Sequence, residues 1–125
     1  MTKPVCAIVG AGEGLGRALA AKFASRDFDI ALISRCEANS AAAVEAAATT
    51  ASAANVRFFS ADVSRPETLE PAIATIDREM GEIDLLIYNV RGTFTACEPL
   101  DMSYAALEEV YRVEVMGAFA AAKSV

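Results

Sequence analysis

Short runs rich in Val, Ile, Leu and Phe alternate along this chain with longer stretches whose apolar residues recur at helical spacing. That alternation predicts a parallel sheet wrapped by crossover helices. Strands are predicted over Val5–Val9, Asp29–Ser34, 55–60 and Ile83–Tyr88, with helices over 14–26 and 38–53 between the first three. A third helix opens around Ser64-Arg65-Pro66-Glu67. Ser64 is placed to cap it, Glu67 to reach back as the capping-box partner, and Pro66 to occupy a first-turn position that needs no donor. Pro71 is expected to distort the second turn, and Gly81 to end the helix in the left-handed conformation. The fourth strand is almost continuously apolar, which predicts cover on both faces. A last helix begins near 101–103 and keeps its rhythm to the end of the chain, with Leu107, Val110, Tyr111, Val115, Ala118 and Phe119 on apolar faces. It meets no Gly, Pro or polar tail, so the chain is expected to stop inside an element.

The first strand runs into Gly10-Ala11-Gly12-Glu13-Gly14-Leu15-Gly16, which then opens the first helix. Such a turn rests a pyrophosphate on bare backbone N–H groups at the positive end of a helix. The usual dinucleotide fingerprint has glycines at positions one, three and six, and position six here is Leu15. Glycines stand instead at one, five and seven. The Gly-Lys-Ser/Thr ending of a triphosphatase loop is missing, since Leu15-Gly16-Arg17 occupies its place. An ordinary strand-to-helix turn would need only one of these glycines.

At 54% hydrophobic and 22% charged residues, the 125-residue chain is expected to form one globular domain, short for a complete nucleotide-dependent dehydrogenase. A net charge of −6 argues against a nucleic-acid surface. No run of about twenty strongly apolar residues suggests a membrane span, and Met1-Thr2-Lys3-Pro4 leads straight into a strand, leaving no room for a signal peptide. Cys6, Cys36 and Cys97 are far apart and lack ligand spacing, so reduced thiols in a cytoplasmic protein are expected. Cys6 reads as a small buried strand residue, and Cys36, close after Arg35, as an exposed thiol near the phosphate of a bound nucleotide. There is no histidine, which removes His-based catalysis and most zinc chemistry; no metal site is expected.

Four segments in register resemble the N-terminal half of the short-chain dehydrogenase/reductase family, over essentially the whole chain. They are Val9-Gly10-Ala11-Gly12-Glu13-Gly14-Leu15-Gly16, Asp62-Val63 after the third strand, Tyr88-Asn89-Val90-Arg91 after the fourth, and Val113-Glu114-Val115-Met116-Gly117-Ala118-Phe119 in the last helix. The resemblance, with right-handed crossovers, implies a truncated three-layer Rossmann-like α/β unit of about four parallel strands in the order 3-2-1-4, the fourth strand an open edge. It implies cofactor contacts at Gly10, Gly12, Glu13, Gly14, Leu15, Gly16, Ser34, Arg35, Asp62, Val63 and Asn89. Asp62 would accept the adenine amino group and the Val63 N–H would donate beside it. On its residues alone Asp62 can instead cap the following helix, although Ser64 stands ready for that. Ser34-Arg35 stands where an NAD site places an acid, so NADP(H) is favoured over NAD(H); the alternative is a solvated Arg35.

The family's Tyr-x-x-x-Lys is absent. Four residues after Tyr88, Tyr104 and Tyr111 stand Gly92, Glu108 and Val115. Glu114 occupies the position of the family's proton-relay Asn, where it either holds a water or serves as a salt-bridging helix residue. Arg91, standing where the family has Gly, is expected to crowd the nicotinamide-side ribose. The reading is therefore the cofactor-binding portion of an NAD(P)-dependent oxidoreductase, inactive alone. The alternatives are a non-catalytic NADP(H)-binding or partner protein and a gene remnant. By the same resemblance, the last helix would build a homo- or hetero-oligomeric contact.

Overall fold

All five residues of β1 (Val5–Val9) are buried in a computed structural model that describes residues 2–93 and 95–125. Strand side chains alternate between faces, so β1 needs cover on both. On one face Val5, Ala7 and Val9 join Ala31, Ile33 and Phe59 beneath Leu69, Ala72, Ile73 and Ile76. On the other, Cys6 and Ile8 join Ile30 and Leu32 beneath Ala20, Ala24, Ala43 and Ala47. Burial pushes the Cys6 thiol up to about 12, so it sits there as an inert apolar group.

The order along the chain is β1, α1 (Leu15–Ala24), β2 (Asp29–Ser34), α2 (Glu37–Thr50), β3 (Val56–Ser60), a 3₁₀ turn (Pro66–Thr68), α3 (Leu69–Glu79) and β4 (Ile83–Tyr88). After a second 3₁₀ turn (Pro99–Asp101) come α4 (Tyr104–Val110), a π-helical segment (Tyr111–Met116) and α5 (Gly117–Lys123). The four strands are parallel in the order β3-β2-β1-β4, as the resemblance implies. Helices α1 and α2 pack together through small residues, with Ala20, Ala24, Ala43 and Ala47 in one buried cluster. Helix α3 buries Leu69, Ala72, Ile73 and Ile76, one i, i+3, i+4, i+7 stripe.

Three expectations need correction. Ser64 caps no helix; its amide and hydroxyl both donate to Asp62 Oδ1, at 3.0 and 2.7 Å, while Glu67 pairs with Arg65. The turn into α3 is held by Thr68, whose Oγ1 accepts the Asp62 N–H at 2.9 Å. Pro71 does not distort a second turn. The preceding 3₁₀ turn delays the α-helix to Leu69, so Pro71 falls in its first turn, where the missing N–H costs nothing. Strand β4 is half-buried rather than fully covered. Its side chains reach both cores, but it lies at an edge, and Asp84 bulges to accept the Val5 N–H at 2.8 Å.

The final helix carries its apolar residues on two rows. Leu107, Tyr111, Val115 and Phe119 are exposed, while Val113, Gly117 and Ala121 are buried. Both rows recur every four residues, so periodicity alone does not say which turns inward.

Gly81 does close α3, at φ 113° with its N–H donating to Ile76. Gly81→Ala would place an L-residue in that conformation and should lower stability by about 1–2 kcal/mol. A urea midpoint unchanged from the parent would contradict this.

Candidate functional site

The glycine turn lies where the strand order reverses, between β1 and β4, the crevice in which open parallel sheets bind ligands. Gly10 takes φ 87°, and a Cβ there would collide with the carbonyl of Asn89 and lie 2.7 Å from Val90 Cγ2. Asn89 donates its N–H to the Val9 carbonyl at 2.8 Å and its side-chain amide to the Gly10 carbonyl at 3.4 Å. Gly16 is buried, and a Cβ on it would come within 2.5 Å of Ala11 Cα, so it lets α1 seat against the turn. Gly12 and Gly14 meet nothing at the Cβ position. Their place in the turn answers to space above the backbone rather than to packing.

Helix α1 begins with no side-chain cap and no acid in its first turn. Its backbone ladder starts with Arg17 donating to Gly12 and Ala18 to Gly14. The amides before them belong to the unladdered start of the helix, which carries partial positive charge. Glu13, Gly14 and Leu15 are exposed there.

Gly10, Ala11 and Gly12 form one wall of a cavity of about 210 Å³, completed by Ile33, Ser34, Arg35, Asn39, Ala61, Val63 and Val90. An adjoining cavity of about 230 Å³ shares Arg35, Val63 and Val90 and adds Asp62, Ser64, Arg91 and Gly92. Of the residues singled out in the sequence, Gly10, Gly12, Ser34, Arg35 and Val63 thus converge on one cavity and Asp62 on its neighbour. Asn89 braces the turn from β4. Glu13, Gly14, Leu15 and Gly16 line neither cavity.

The exit of β2 is tied down by its own polar groups. The Ser34 hydroxyl donates to the Cys36 carbonyl at 2.9 Å and lies 2.9 Å from the hydroxyl of buried Ser40. The Ser60 hydroxyl donates to the Arg35 carbonyl at 3.2 Å, and the Ala61 N–H to the Ser34 carbonyl at 3.0 Å. Ser34 therefore builds the turn that presents the exposed Arg35 at the cavity rim. Asn39, Ala61 and Val90 line the cavity but are not among the contacts that the sequence implies. Asn39 stands one turn into α2, where only the path of the chain shows that it faces the glycines.

The hydrogen bond from the Ser64 hydroxyl holds the Asp62 carboxyl below the usual carboxylate range. The Ser64 amide and the charges of Arg35 and Arg65 act in the same direction, and burial partly opposes them. Tyr88 is pushed up to about 12 by burial and by the negative charge of Glu114.

The profile of the short chain dehydrogenase family matches residues 4–125. The chain belongs to that family. A peroxisomal 2,4-dienoyl-CoA reductase of Danio rerio is 30% identical over 124 residues, covering 98% of this chain and 40% of the relative. The solved levodione reductase superposes with a TM-score of 0.92 at 26% identity, covering 100% of this chain and 48% of that one. Two further solved folds are an NADH-dependent reductase complexed with NAD and the L-sorbose reductase of Gluconobacter frateurii complexed with NADPH and L-sorbose. They reach TM-scores of 0.85 and 0.86 at 20% and 22% identity, covering 98% and 100% of this chain and 50% and 47% of theirs. This short-chain dehydrogenase chain thus spans no more than half the length of any of these relatives. The family is one of oxidoreductases with nicotinamide nucleotide cofactors. No helix among the described residues is long and apolar enough to cross a membrane.

Because the folded pKa of Asp62 is depressed, its ionisation adds stability that is fully present above about pH 4. That stability is lost as the pH falls through the lower folded value. Ser64→Ala removes the largest cause, so an NMR titration of Asp62 should show its pKa rising toward the ordinary value. The added stability in acid should shrink in parallel. An unmoved Asp62 titration would contradict this account.

Proposed function

We propose that this chain is the nucleotide-binding portion of a short-chain oxidoreductase that interconverts an alcohol and a carbonyl. It uses NADP(H) in preference to NAD(H), and alone it binds cofactor without turning over substrate. One observation carries the reading: the glycine turn, the β2 exit with Arg35 and Val90 after β4 meet around one cavity at the strand-order reversal. The residues present fit a dinucleotide. Gly12 and Gly14 leave room above the turn, and the uncapped start of α1 favours a pyrophosphate. Arg35 stands on the rim, where a guanidinium grips a 2′-phosphate with paired charged hydrogen bonds. Asp62 and Val63 then fall on the adenine side. The bound nicotinamide would supply or accept the hydride.

No tyrosine of this sequence has a lysine four residues on, which supports binding without turnover. The exposed row of Leu107, Tyr111, Val115 and Phe119 supports self-association, because contiguous apolar surface of this kind marks interaction sites and a self-complementary helix face suits a two-fold contact.

Titrating the purified chain with NADPH and NADH tests the first reading. NADPH should bind about tenfold more tightly, the scale of one charged hydrogen-bonded contact, and Arg35→Ala should bring the two affinities together. Equal affinities in the parent would remove the NADP(H) preference, and absence of binding to either would remove the cofactor reading. Ketone reduction by this chain would show the inactive reading to be wrong. Sedimentation should reveal concentration-dependent dimers that Phe119→Glu dissociates; a monomer at all concentrations would count against the contact.

A further inference from the structure

Tyr88, at the end of β4, donates its hydroxyl hydrogen to the carbonyl of Val113. That carbonyl lies in the π-helical segment. In an α-helix it would accept the N–H of Gly117, four residues on. Here the Gly117 N–H reaches back five residues to Arg112 instead, and Val113 takes the tyrosine hydroxyl. Gly117 also makes the approach possible, since a Cβ there would collide with the Tyr88 hydroxyl. The high pKa of Tyr88 keeps it a donor throughout the neutral range.

Four residues beyond Tyr88, the same loop is held a second time. The Gly92 N–H donates to Glu114 Oε1 at 3.0 Å. The Gly92 backbone lies so close to α4 that a Cβ on it would be 3.1 Å from Val110 Cα. The two fixed points bracket Asn89 and Val90. These are the residues that press on Gly10, and Val90 lines both cavities.

We infer that Tyr88 and Glu114 are positioning residues, a two-point latch from the last helix that holds Asn89–Val90 against the glycine turn and thereby sets nucleotide affinity. Glu114 acts as a hydrogen-bond acceptor for the Gly92 amide, and its charge is not what the latch requires. The consequence for affinity rests on the cofactor reading above; the latch itself does not.

The test uses Glu114→Ala, Glu114→Gln and Tyr88→Phe in the full 125-residue chain, with two readouts. The first is hydrogen exchange of the Gly92 amide by NMR without ligand, and the second is NADPH titration. Glu114→Ala should speed Gly92 exchange and weaken NADPH about threefold to tenfold, the effect of one hydrogen bond. Glu114→Gln, whose amide oxygen still accepts, should keep both near parent values. Tyr88→Phe should weaken NADPH by a similar factor while melting cooperatively. Unchanged Gly92 exchange in Glu114→Ala overturns the latch whatever happens to binding. A glutamine variant that behaves like alanine overturns the acceptor role. Faster exchange with unchanged NADPH affinity in both Glu114→Ala and Tyr88→Phe overturns the link to the nucleotide. If the parent binds no nucleotide, the cofactor reading falls, and Gly92 exchange still decides the latch.

Discussion

The carbonyl of Asn89 lies against the Cα of Gly10, where no side chain fits. This backbone-on-backbone contact is the constraint on which the site depends. It lets the exits of β1 and β4 close on each other at the point where the strand order reverses, with the glycine turn facing the crevice. A side chain at Gly10 would both part the two loops and force an L-residue to φ 87°. Gly16 plays the corresponding part on the helix side, letting α1 start directly above the turn. With both contacts made, Gly10, Ala11 and Gly12 line the cavity together with Arg35 and Asn39.

Polar groups around this frame are spent on local geometry. Ser34, Ser40 and Ser60 fix the β2 exit through one another and through the carbonyls of Cys36 and Arg35. Asp62, Ser64 and Thr68 fix the β3 exit in the same way. The sheet carries almost no polar side chains inward; Ser40 is the buried polar residue among those described, and it is satisfied by Ser34. Charge is presented to the cavities by Arg35, by the depressed Asp62 carboxyl, and by Arg91 and Glu109 on the second of them.

The last helix and the loop after β4 meet in a connected way. The helix turns π-helical where Tyr88 meets it, and Glu114 accepts the Gly92 N–H. In space Tyr88, Val113, Gly117, Glu114 and Gly92 form one junction between helix and loop, and Arg91 lies within the span it holds. A π segment at such a junction fits the general association of these irregularities with functional sites.

Strand positions, the parallel arrangement and the glycine turn were legible in the sequence because they follow from local spacing. Short apolar runs between helical stretches mark the strands, and glycines at one, five and seven have no economical reading as an ordinary turn. Helix entries were less legible. Ser64 and Glu67 match a capping box in spacing, yet Asp62 captures the Ser64 donors first and Thr68 holds the turn. The inward face of the last helix was not legible either, because rows 107/111/115/119 and 113/117/121 are equally periodic and the larger apolar side chains stand on the row that ends exposed. Tertiary structure chose the second row, since Gly117 alone admits the Tyr88 hydroxyl and small residues let the helix lie close to the sheet. Asn39 and Val90 joined the cavity for the same reason. Local spacing determines which residues share a face, and only packing against distant elements decides what that face meets.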